Sequence, residues 1–328
     1  VLRTHARFPE IPAGKGHYES FYLKASHPSE PVGVWIRYTV HKHSNQEPEG
    51  SLWFTLFDGR ADGPRASKVT SGDLSAPAGA YIRIGDSVFE PGRVSGSART
   101  DQLDAGWELT FESPEDALFH LPRDWMYRAP VPKTKLLTPH PGARFSGVVR
   151  AGETEVALDG WRGMVGHNWG TQHAERWIWL HGAGFEGAED AWFDGAIGRI
   201  KLGLVTTPWI ANGTLYLDGE RHRVGGPEKA RRTKVNESPT RCDFLMPGSE
   251  LSVSGRVESE KKNFVGWVYA DPDGPEHNTV NCSISDMTLT VSADGVPDRE
   301  LRVRGGAAYE LGMREKDHGM PLQPFSDG

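Results

Sequence analysis

Along the chain the clearest regularity is an alternation of apolar and polar side chains with a period of two. Residues 17–25 (HYESFYLKA), 34–40 (VWIRYTV) and 52–57 (LWFTLF) set aromatic and β-branched residues at every second position, which is the pattern of strands with two chemically distinct faces. In residues 34–40 one face carries Val34, Ile36, Tyr38 and Val40, and the other carries Trp35, Arg37 and Thr39. A half-polar face of this kind suits the inside of a ligand-holding barrel, and it equally suits a solvated sheet. Further strands are predicted over residues 81–84, 106–111, 144–149 and 155–158, then over 213–217, 250–257, 263–270, 283–291 and 301–311, each bounded by Gly, Pro, Asp or Ser. Helical periodicity is weak throughout. Residues 120–141 contain five prolines, Pro122, Pro130, Pro132, Pro139 and Pro141, and are predicted to be an extended connection over the surface or across one barrel end.

A length of 328 residues accommodates two domains of the usual size, about 100–200 residues each. The pattern therefore predicts an all-β fold of two tandem antiparallel β-barrels or curved sheets, with domains at residues 1–172 and 173–328. A formal charge of −7 without a dense Lys/Arg run weighs against nucleic acid as a partner, because phosphates are held mainly by basic side chains. There is no run of about 18 or more apolar residues, hence no predicted transmembrane segment, and residues 1–16 lack the apolar core of a secretory signal. Cys242 and Cys282 are the two cysteines and lack CxxC spacing, so a cytoplasmic protein is expected, with peripheral membrane contact and one bridge between the two thiols left open.

Residues 160–200 form the densest aromatic and histidine cluster. In extended backbone alternate residues share a face, so His167 and Trp169 point one way and Asn168 the other. Trp177, Trp179 and His181 share a face, as do Trp192 and Asp194. The turn-rich GFEGAED stretch allows residues 176–182 and 191–197 to pair as a hairpin, bringing Trp179 or His181 near Asp194. If these side chains surround one apolar pocket, burial raises the pKa of Asp194 and makes it a proton donor near neutral pH. Indole faces then steady a developing carbocation, by roughly 0.5–2 kcal/mol per contact, and His167 accepts a proton or orients a water. Trp-rich strand pairs are also how ordinary cores pack, and a buried Asp or His also serves structure. No metal site is expected: His41 and His43 share a strand face without a recognisable third ligand, and His167, His173 and His181 fare no better. Neither a phosphate loop nor a Gly-x-Ser-x-Gly elbow is present.

Gly166-His167-Asn168-Trp169-Gly170, the Trp-rich stretch from Trp177 to Leu180 and Trp192-Phe193-Asp194 resemble the carotenoid 1,2-hydratase (hydroxyneurosporene synthase) family. GHYESF at residues 16–21, Lys133 and Lys135 in the proline-rich connection, and GGAAYE at 305–310 add to the likeness. The resemblance implies two tandem lipocalin-like barrels, and relatives of that family include tocopherol-cyclase-like proteins and decalin-forming Diels–Alderases. It also implies hydration of an isoprenoid double bond without a redox cofactor, with His167 and Trp169 matching the family's His and Trp and Asp194 its proton donor. Two positions depart: Gly166 stands where the motif often has Asp, and Trp192 stands where the family's Tyr-x-Asp has Tyr.

Three functions are consistent with these residues. One is a cofactor-independent enzyme that protonates an alkene of a terpenoid or polyene and goes on to hydration, cyclisation or isomerisation, with Asp194 and His167 catalytic and Trp169, Trp177, Trp179, His181 and Trp192 binding substrate. The others are a pericyclase that folds a polyene for reaction, and a carrier of an apolar small molecule.

Overall fold

The early alternating segments become the strands His17–Ser26, Val32–Lys42 and Glu49–Asp58 of a computed structural model that describes residues 4–326. These strands pair antiparallel in sequence order, and His17–Ser26 also pairs with the long strand Thr154–Gly170, setting Phe21 opposite His167 and Tyr22 opposite Gly166. Among the described residues, twelve strands between His17 and Gly170 form one sheet and eleven between Arg176 and Ser326 form another. Pairing is antiparallel except where Val265–Ala270 runs beside Leu322–Ser326. The all-β class is thus as expected, and the described helical pieces are short 3-10 turns. No described helix is long and apolar enough to cross a membrane.

Strand twist curls the first sheet until Arg65–Ser71 faces Arg93–Arg99, where the Ser67 hydroxyl donates to the Ala98 carbonyl at 3.0 Å, giving a nearly closed barrel. Phe21, Ile36, Tyr38, Phe54, Phe89 and Trp107 fill it. The second sheet curls likewise, with a single bridge from Val224 to Gly248, over a core of Leu180, Phe193, Leu215, Phe244 and Tyr309.

The central strands bury both faces. Val32–Lys42 is buried at every one of its 11 positions, because the outward face of the first sheet packs on the second. Trp35, Trp53 and Trp267 meet there, with ring centroids 4.9 to 6.4 Å apart, and Trp53 Nε1 donates to Thr39 Oγ1 at 2.9 Å. Lys24 is fully buried in the same joint and donates to the Gly306 carbonyl, while Ser26 Oγ donates to the Ser283 carbonyl. Burial holds the Lys24 ammonium down, to about 7.

One expectation changes, and one open question closes. The proline-rich stretch is extended only in part, since Pro139 and Pro141 lie inside the strand Thr134–Ala151. They sit where its pairing with Thr154–Gly170 slips between Leu137 and His140 and again between His140 and Ala143, and such bulges tolerate a residue without an amide hydrogen. Cys242 and Cys282 are both buried and form no disulfide.

Trp53 is fully buried at the joint, so Trp53→Ala is expected to lower unfolding stability by about 3–5 kcal/mol. Urea denaturation of both proteins measures this, and a loss below about 1 kcal/mol would show that the joint adds little.

A candidate active site between the two sheets

A cavity of about 230 Å³ opens between the outward faces of the two sheets, bordered at its edge by Ile178 and Ile197 of the second core. Its location follows from alternation. On His17–Ser26 the odd positions Phe21 and Leu23 fill the barrel, which leaves Tyr18 and Tyr22 to line the cavity. On Val32–Lys42 the half-polar face does the same and contributes Trp35 and Arg37, while Arg176–Phe185 contributes Trp177 and Trp179 and Val296–Met313 contributes Glu310.

Two glycines let aromatic rings lie across the strands. A Cβ on Gly166 would come 2.2 Å from the Tyr22 ring, and one on Gly312 would come 2.1 Å from the Trp177 indole. The departure from the hydratase motif at Gly166 therefore coincides with the place where Tyr22 packs. Tyr22 also stands edge-on to Trp179, with centroids 5.5 Å apart.

Three groups of polar side chains lie in or behind the walls of this space; Arg37, His173 and Glu310 line it, whereas Asp194 and His181 are buried behind it. At one end Asp194 lies directly opposite His181 in the hairpin of Arg176–Phe185 with Ala188–Arg199, so of the two pairings considered it is His181 that meets Asp194. Thr138 Oγ1 donates to Asp194 Oδ2 at 2.6 Å, and His120 Nε2 lies 3.5 Å from the same oxygen. The expected rise in the Asp194 pKa does not occur. Burial pushes it up, but His120, His181 and the Thr138 hydroxyl together hold it below the ordinary carboxylate range, so the group is a carboxylate at neutral pH. Asp194 Oδ1, His181 Nδ1 and Trp179 Nε1 are buried without a protein hydrogen-bond partner.

In the middle, Glu310 accepts hydrogen bonds from Trp177 Nε1 at 3.0 Å, Tyr269 OH at 3.1 Å and Asn281 Nδ2 at 3.0 Å. Burial raises the Tyr22 phenol well above its ordinary value, and the charges of Asp194 and Glu310 raise it further. Tyr22 is thus a neutral phenol at physiological pH, bordering the cavity with Glu310.

At the other end Arg37 Nε donates to Ser20 Oγ at 2.7 Å, and its guanidinium lies 4.2 Å from the Tyr269 ring centre. Beside it His173, carried on the link between the sheets, stacks on Tyr18 at 4.0 Å and donates from Nδ1 to Asp271 Oδ1 at 2.7 Å.

The single chamber expected around His167, Trp169, Trp192 and Asp194 is not what the fold builds. His167 and Trp169 lie on the face of Thr154–Gly170 opposite Asn168, and it is Asn168 that lines the cavity. His167 is buried against Phe21, at 4.0 Å between ring centres, and donates from Nε2 to Glu19 Oε1 at 2.7 Å. Glu19 also accepts the amides of Arg7 and Phe8, and these bonds anchor the N-terminal segment. Burial would raise Glu19, yet bonds from His167 and His17 bring it to about 2. Trp169 packs with Leu121, Tyr127 and Leu137, and Trp192 stacks on Tyr216 at 5.7 Å beyond the cavity. Trp177 and Trp179 do line it, and His181 shares their strand face behind them. Sequence reasoning singled out neither Tyr22, Glu310 and Tyr269 nor Asp271 and His277. Arg37, noted on its half-polar face, Glu310, the last residue of the GGAAYE stretch, and His173, weighed as a metal ligand, left a signal.

Burial, reinforced by the Lys24 charge, lowers the folded pKa of His181 to about 4 from 6.5. A lowered pKa means that stability is intact above pH 6.5 and is lost as pH falls toward 4, when the unfolded chain takes up the proton first. The loss is on the order of 3 kcal/mol. Urea midpoints measured from pH 7 to pH 4 should show this decline, and His181→Gln should flatten it; an unchanged slope in that variant would assign the acid sensitivity elsewhere.

No protein-family model matches the chain. Over 312 residues it is 25% identical to uncharacterised proteins from two strains of Mycobacterium tuberculosis, CDC 1551 and H37Rv, covering 94% of this chain and 90% of theirs. Among solved structures, a protein of Nitrosomonas europaea provisionally named AttH superposes with a TM-score of 0.58 at 10% identity, covering 95% of this chain and 97% of that one. Kievitone hydratase from Nectria haematococca superposes with a TM-score of 0.54 at 10% identity, covering 92% and 89%. At such identities the likeness to both structures is one of fold.

Proposed function

We propose that the protein is an enzyme of hydratase type, which protonates a double bond of a largely apolar small molecule held between the sheets and adds water to it. The observation that carries this reading is Tyr22, a phenol held neutral by burial that lines an aromatic-walled cavity together with the Glu310 carboxylate. The phenol delivers the proton, and a flanking carboxylate takes one from the incoming water and returns it to the phenolate, so that no redox cofactor is consumed. Trp35, Trp177 and Trp179 present faces able to steady positive charge on carbon. Arg37 at the far end favours a substrate whose apolar skeleton, terpenoid or polyene, ends in an oxygen function. The motif resemblance and the fold shared with a kievitone hydratase support the reaction class. Asp194, buried off the cavity wall, acts in this scheme through its charge on the Tyr22 phenol and not as the acid, while His167 serves to orient Glu19 and the N-terminal segment.

The test is incubation with a panel of terpenoid and polyene alkenes in heavy water, followed by mass spectrometry. The expected product has gained one water with solvent deuterium on carbon, and Tyr22→Phe is expected to lose a factor of about 10²–10⁴ in turnover while still binding ligand. Ligand returned unchanged by the wild type would make the protein a carrier, and a fully active Tyr22→Phe would remove the phenol from the mechanism.

A further inference from the structure

We infer that His173, Asp271 and His277 form a binding site for a divalent first-row transition-metal ion in the wall of the same cavity. One ligand atom from each lies within 4.8 Å of the other two. Zinc holds its nitrogen and oxygen ligands at about 2.0–2.2 Å, so the three close on an ion by small side-chain movements. Asp271 and His277 flank the turn that leaves Val265–Ala270, where Asp271 N–H donates to the Pro275 carbonyl at 3.1 Å and His277 pairs with Tyr269. His173 arrives from the link between the sheets and is fixed from both sides, its backbone amide and its Nδ1 each 2.7 Å from Asp271 Oδ1.

Unspent buried lone pairs supply an independent argument. His277 is fully buried, yet neither of its ring nitrogens makes a well-formed hydrogen bond, and Asp271 Oδ2 is likewise buried without a partner. Leaving such groups unpaired is costly, and a cation ligated by both offsets that cost. Two imidazoles and one carboxylate suit zinc or iron(II) and leave coordination positions open. Because His173 lines the cavity, those positions are within reach of a water or of a substrate oxygen near Arg37. The ion's part in turnover rests on the proposed hydratase reading; its binding does not.

The experiment uses the full chain, stripped with a chelator and titrated with zinc chloride and cobalt(II) chloride in the absence of substrate. Wild type and Tyr22→Phe are both expected to take up one equivalent, with a visible cobalt absorption band. His277→Ala and His173→Gln are expected to lose more affinity than the roughly 10–100-fold typical of changes to outer-shell partners. His173 is partly exposed and lies outside the strands, so its variant keeps the measurement decisive should His277→Ala fail to fold. Substoichiometric uptake by the wild type, or uptake unchanged in His173→Gln, overturns the inference. Tight metal binding together with a fully active Tyr22→Phe would overturn the phenol mechanism alone.

Discussion

A strand has two faces, and in the middle of this protein both are buried. His17–Ser26 and Val32–Lys42 each turn one face into a barrel filled by Phe21, Ile36 and Tyr38 and the other against the second sheet. The outward face is therefore withdrawn from water although it carries Arg37, Lys24, Ser20 and Thr39. Buried polar groups are costly unless they are bonded, and the joint answers this in two ways. Lys24 and Ser26 reach carbonyls of the opposite sheet, and where the sheets do not touch, Tyr22, Arg37 and Glu310 border a cavity. The joint that holds the halves together is also the place where chemistry is available.

The walls and the polar groups of that cavity come from different halves. Tyr22 and Arg37 belong to the first sheet, Trp177, Trp179 and Glu310 to the second, and His173 to the link between them. Such a site exists only in the assembled molecule, which couples its geometry to the packing of Trp35, Trp53 and Trp267 beneath it. Gly166 and Gly312 matter for the same reason, since a side chain at either position would collide with a ring that forms the wall.

Electrostatics assign the ends different roles. A carboxylate buried alone would be neutral, but Asp194 shares its pocket with His120, His181 and Thr138 and stays charged. Burial, reinforced by the charges of Asp194 and Glu310, keeps the Tyr22 phenol protonated. Arg37 and the His173–Asp271 pair make the far end receptive to oxygen.

The amino-acid sequence by itself determined the all-β class, the position of most strands and the partition of side chains between faces. All three follow from a period of two that backbone geometry enforces locally. His167 and Trp169 on one side with Asn168 on the other, and Trp177, Trp179 and His181 together, were legible for that reason. Tertiary structure alone decided which face meets the cavity, because alternation sorts residues into two sets without saying which set is enclosed. Hence Asn168 lines the cavity in place of its motif neighbours, Trp192 packs on Tyr216, and Asp271 meets His173 from 98 positions away. The sign of the Asp194 shift was equally out of reach of the chain. Burial is a property of one residue, whereas the groups that outweigh it, led by His120, come from segments brought together only by folding.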